Sequence, residues 1–98
     1  MIYSVSFHEM AERELNEAAQ YYEAEVGGLG SAFLSEVEYS IDRIKEYPDA
    51  SPAVLKLIRK KALRRFPYSV LYSVLGERIR ILAIASQKRR PFYWRARR

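Results

Sequence analysis

Ninety-eight residues without a cysteine make one domain, 1–98, with a single modest core. They exclude a disulfide scaffold and a thiol nucleophile, and fit a reducing cytoplasm. The net charge of +5 hides a division: residues 1–50 carry eleven acids and three bases, residues 51–98 one acid (Glu77) and fourteen bases. That asymmetry points the second half towards an anionic partner. No apolar run approaches the roughly 20 residues of a membrane span, and the opening MIYSVSFHEM lacks the charged and apolar regions of a signal peptide.

Residues 2–7 alternate, with Tyr3, Val5 and Phe7 on one side, and read as a short strand. EMAERELNEAAQYYEAEV follows, with Ala11, Leu15, Ala18, Tyr22 and Val26 at helical spacing. Its start is either a capping box from Ser6 to Glu9 or a cap near His8, and Gly27-Gly28 ends it. A second helix runs from Leu29 to Tyr47 on a stripe of Phe33, Val37, Ile41 and Ile44, and Pro48 stops it. So short a link makes the two helices an antiparallel hairpin.

Residues 48–55 read as loop, and 57–65, LIRKKALRR, as a strand. Residues 67–75 alternate clearly, Gly76-Glu77 fits a two-residue turn with glycine first, and 78–85 return as a strand with Ile79, Ile81 and Ala83 on one face. The tail SQKRRPFYWRARR then sets Phe92, Tyr93 and Trp94 among six bases. The order, β-α-α-β-β-β, predicts an α+β fold with the helical hairpin on one face of a twisted, mainly antiparallel sheet. Tyr21, Tyr22 and Tyr39 are expected to pack rather than to stack on a ligand.

Little in this chain suggests a metal or a nucleophile. His8 is the only histidine, and a surface or capping role suits it better than a metal site, which needs further ligands. No phosphate-loop or dinucleotide motif occurs, and no cofactor is expected. The N-terminal acids are expected to form a solvated helix face. The basic set remains, with Lys56 to Arg65 around the second strand, Arg78 and Arg80 beyond the hairpin turn, and Lys88 to Arg98 in the tail. Such residues contact phosphates, and neighbouring aromatics stack on unpaired bases. The large Trp94 is expected to pack back on the core.

RRFPYSVLYSVLGERIRILAIASQKRRPFYWRARR resembles the C-terminal half of the RelE/ParE toxins of bacterial type II toxin–antitoxin systems, the plasmid stabilisation group. AERELNEAAQYYE and GLGSAFLSEVEYSIDRI, followed by a proline, resemble the N-terminal half. The resemblance implies a β-α-α-β-β-β fold and a cognate antitoxin whose C-terminal segment wraps the toxin. In ribosome-dependent members it implies metal-independent cleavage of mRNA, for which Lys60, Arg64, Arg89 and Tyr93 are the positional matches. Where those members carry a central strand arginine, this chain has Ser69, a neutral hydroxyl that cannot stabilise a developing phosphorane charge as a guanidinium does.

The ParE-like branch, similar in overall length and helix pattern, implies inhibition of DNA gyrase without enzyme activity. Arg59, Lys61, Arg65, Arg80, Arg90, Trp94 and Arg95 are then candidates for meeting target or antitoxin. A non-toxic basic binding module is the third reading.

Overall fold

The computed structural model describes residues 2–98. Two helices, α1 (Glu9–Glu25) and α2 (Leu29–Glu46), pack on a sheet of five strands: β1 (Ser4–Phe7), β2 (Ala53–Leu55), β3 (Ile58–Ala62), β4 (Tyr68–Leu75) and β5 (Arg78–Ser86). The strand order is β1-β5-β4-β3-β2. β1 runs parallel to β5 and the other pairs are antiparallel. The sheet is therefore mixed: the helical hairpin carries the chain from β1 at one edge to β2 at the other, and the antiparallel strands then step back until β5 lies parallel beside β1.

His8 caps α1 by accepting a hydrogen bond from the Met10 N–H through Nδ1 at 3.0 Å. It takes the position the Ser6–Glu9 capping box would have filled. At the other end, the Glu23 carboxylate accepts from the N–H groups of Gly28 and Gly30, each at 2.9 Å. These bonds hold its pKa below the usual carboxylate range and lock the link between the helices. Gly28 caps α2 with a φ of 89°, and a Cβ on Gly30 would lie 2.5 Å from the Ala19 carbonyl oxygen. Glycine at 30 is what lets the two helices approach.

The main core lies between the hairpin and one sheet face. Ala11, Phe33, Val37 and Ile44 meet Val70, Tyr72, Ile79, Ile81 and Ile84 there. Tyr22 packs as expected, 5.3 Å from the Phe33 ring and 4.9 Å from Phe66. Tyr21 and Tyr39, by contrast, are exposed.

β4 and β5 are in register except at one point. Leu71 pairs with Ala83 but Tyr72 pairs with Ile81, leaving Leu82 as an extra residue. This bulge moves all later side chains of β5 to the opposite face. Ala83 therefore leaves the face of Ile79 and Ile81, contrary to the plain alternation. With Ala85 and Leu71 it forms a second small core on the far side of the sheet, closed by Trp94.

Three further differences are local. Residues 48–55 contain β2, which pairs with β3 across a tight turn at Lys56-Leu57. The predicted strand 57–65 ends at Ala62, after which Leu63 turns inward to the main core. The first strand begins at Ser4, and Ile2 is exposed.

Candidate nucleic-acid and partner interface

Strand parity sorts the cations. Lys60 stands opposite Leu71, so it shares the far face of the sheet with Ser69, two residues along β4. Arg59 and Lys61 stand opposite Tyr72 and Val70, on the helix side. Arg59 folds back onto the 48–52 loop, donating to the carbonyls of Asp49 and Ser51 at 3.2 and 2.6 Å. Lys60 and Lys61 therefore do not share a site, although they are neighbours in sequence.

Two carboxylates from the helices hold the basic half in place. Glu36, only 3 % exposed, accepts from Arg64 three times: from the backbone N–H and Nε at 3.0 Å and from Nη2 at 3.3 Å. The Arg64 guanidinium also lies 3.7 Å above the Tyr39 ring. Its hydrogen bonds hold the Glu36 carboxyl below the usual carboxylate range. Arg64 thus fastens the β3–β4 connection to α2.

Glu14 does the same for the tail. Its Oε1 accepts from the Ile84 N–H at 3.1 Å and from Arg97 Nη1 at 2.9 Å. Its Oε2 accepts from the Tyr93 hydroxyl at 2.8 Å and from Arg97 Nη2 at 3.0 Å. Arg97 Nη1 also donates to the Leu82 carbonyl at 3.0 Å. These bonds close the edge of β5 where β1 has ended. Burial, then the Glu14 contact, pushes the Tyr93 phenol well above its ordinary value.

These two acids correct the expectation of a solvated acidic face. Their positions carried a signal that was missed. Glu14 falls three residues after Ala11 and four before Ala18, and Glu36 three after Phe33 and four before Ser40, all of these neighbours being buried. Each acid sits in its helix's buried stripe.

The remaining candidates separate as follows. Arg80 is structural, donating from Nη1 to Ser6 Oγ at 3.1 Å and to the Phe7 carbonyl at 3.0 Å. Trp94, 5 % exposed, anchors the tail. Arg65 and Arg95 are exposed, Arg65 lying 5.6 Å from the Phe66 ring. Lys60, Arg89, Arg90 and Tyr93 line one cleft of about 200 Å³ on the far face of the sheet, floored by Leu71 and Ala85. Arg64 does not line it. Arg89 stacks 3.9 Å from the Tyr93 ring and reaches Glu14 only at 3.9 Å. Among the described residues no carboxylate lies within 4.0 Å of Lys60 or Arg90.

A larger groove of about 580 Å³ lies further along the same face. Leu57, Ile58, Leu75 and Leu82 form its floor and Arg78, Arg80 and Arg98 its rim. Leu57 and Leu75 are both about two-thirds exposed, at 68 % and 67 %. Among the described residues, no cluster of three or more His, Asp or Glu is placed to hold a metal ion, and no helix is long and apolar enough to cross a membrane.

A helical hairpin on one side of a five-stranded mixed sheet, with a basic tail on the other, defines the ParE/RelE-like α+β fold. The chain belongs to the ParE toxin family: the family model "ParE toxin of type II toxin-antitoxin system, parDE" matches residues 5–91. Among solved structures, the chain is similar to one from the chromosomal ParDE toxin–antitoxin system of P. aeruginosa. The two share a TM-score of 0.64 and 22 % identity over 87 % of this chain and 96 % of that one. No curated protein matches the chain significantly.

Proposed function

We propose that this ParE toxin domain arrests growth by inhibiting DNA gyrase in the cytoplasm, as one domain spanning residues 1–98, and that a cognate antitoxin neutralises it. One observation carries the choice of a binding over a cutting mechanism. Of the four residues a nuclease would use, Arg64 is bound to Glu36 and the Tyr93 hydroxyl donates to Glu14. An acid–base catalyst must be free to exchange its proton with the reacting group, and the Tyr93 hydroxyl is committed to Glu14 at 2.8 Å, with burial raising its pKa further. Ser69 adds no charge at the centre of the cleft. What remains is a set of exposed cations suited to gripping phosphates.

The larger groove suits the antitoxin. Its apolar floor and arginine rim complement a segment that alternates acidic and apolar side chains.

A second reading, the ribosome-dependent nuclease, draws support from Lys60, Arg89 and Tyr93 lining a common cleft. A supercoiling assay with purified protein, run beside translating ribosomes loaded with a defined mRNA, separates the two. Loss of supercoiling at micromolar protein with intact mRNA is the expected result. Unchanged supercoiling with mRNA cut inside the A-site codon would overturn the gyrase reading in favour of the nuclease.

A further inference from the structure

The cleft beside the tail contains the one buried side-chain polar atom, among the described residues, that has no hydrogen-bond partner. This is Ser69 Oγ. Ser69 is 1 % exposed and belongs to the lining of the cleft. A buried hydroxyl without a partner is costly and uncommon in a native fold. Lys60, Arg89 and Arg90 line the same space. Three cations and an orphan hydroxyl around about 200 Å³ make a receptor for an oxyanion with several acceptor oxygens.

Phe92 narrows the ligand class. It is 42 % exposed, lines the cleft and stands 5.6 Å from the Trp94 ring. Its φ is 60°, a left-handed conformation that a bulky side chain rarely adopts. The strained backbone places the Phe92 ring, itself partly open to solvent, in the lining of a cationic cleft. A planar base stacks on such a ring while its phosphate lies among the cations.

We propose that this cleft is a nucleotide site. A phosphoryl group is held by Lys60, Arg89, Arg90 and the Ser69 hydroxyl, and its base stacks on Phe92. The site binds and does not cut, because Ser69 is a neutral hydroxyl and the Tyr93 hydroxyl is taken up by Glu14. The inference concerns binding by the isolated protein, so it stands or falls independently of gyrase inhibition.

Trp94, the only tryptophan, lines the cleft and reports its occupancy. The test is a titration of its fluorescence in the full-length protein with inorganic phosphate, a 5′-mononucleotide, a short single-stranded oligonucleotide and sodium acetate. Saturable quenching is expected, with the mononucleotide binding about tenfold tighter than phosphate because of the stacked base. Acetate should be weaker than both. Each of Lys60→Ala and Arg90→Ala should weaken the mononucleotide about tenfold, and Phe92→Ser should erase its advantage over phosphate.

Ser69→Ala supplies the readout that a merely structural role would not give. Removing an unpartnered buried hydroxyl leaves the fold as stable or more so, while affinity falls severalfold. An oligonucleotide far tighter than the mononucleotide would identify a nucleic-acid strand as the source of the phosphate, and equal affinities a free nucleotide. Either result supports the site. Quenching that ignores the Lys60 and Arg90 substitutions, or none with phosphate or nucleotide at millimolar concentration, would overturn it. So would a Ser69→Ala variant that keeps full affinity.

Discussion

The two faces of the sheet are built for different purposes. The helix face is thick, with Phe33, Tyr72, Ile79 and Ile81 all fully buried beneath two helices. The tail face is thin: Leu71, Ala83 and Ala85 under a single tryptophan, with Tyr93 at the margin. One face supplies most of the apolar burial that stabilises the fold. The other gives up burial for open cations, an orphan hydroxyl and a strained phenylalanine. In this chain stability and recognition occupy opposite sides of one sheet, and the alternation of side chains along the strands keeps them apart.

Substitutions can test that division. The largest effect is expected on the helix face, where Phe33→Ala should cost about 3–5 kcal/mol, measured by urea unfolding. Trp94→Ala should fall at the low end of that range, about 3 kcal/mol, and act locally. Trypsin should then cut the arginine-rich tail before the domain unfolds, while the helical signal persists. If Trp94→Ala costs as much as Phe33→Ala and the tail resists trypsin until global unfolding, the two faces form one cooperative unit and the contrast fails.

A smaller effect concerns the tie between α2 and the β3–β4 connection. Glu36 has its pKa lowered, first by the Arg64 side-chain hydrogen bond. The stability it contributes is present above its unfolded value of about 4.3. That contribution is lost as pH falls through the lower folded value. The thermal midpoint should therefore decline on acidification below about pH 5. Glu36→Gln should flatten that decline and cost about 1 kcal/mol at neutral pH.

Much of the fold was legible because β4 and both helices follow clear periodicities, and the glycines and Pro48 punctuate them. β2 was not. Its hairpin turns at Lys56, with a φ of 51°, and no glycine or asparagine announces it. The bulge was hidden for another reason. Residues 81–85 are apolar throughout, so an added residue leaves no mark on the pattern.

The cleft was legible in part. Lys60, Arg89, Arg90 and Tyr93 were singled out and do come together. Arg64 and Arg80 looked equivalent to them in a list of bases, because their partners Glu36, Ser6 and Phe7 lie far away in sequence. The burial of Glu14 and Glu36 could have been read from helical spacing. The orphaned Ser69 hydroxyl could not, since it depends on what surrounds the side chain in space.

The bulge at Leu82 has a consequence for how the chain tolerates change. Replacing Leu82 alters one side chain. Deleting it would close the bulge and keep the parity of everything after it: Ala83 would still stand opposite Leu71 and Ile84 opposite Val70, now in unbroken alternation from Ile79 to Ala85. Trp94 would keep the alanines on which it now lies. At this position β5 holds one residue more than β4 needs, and a single codon lost there would remove the Leu82 side chain while leaving both faces of the sheet in register.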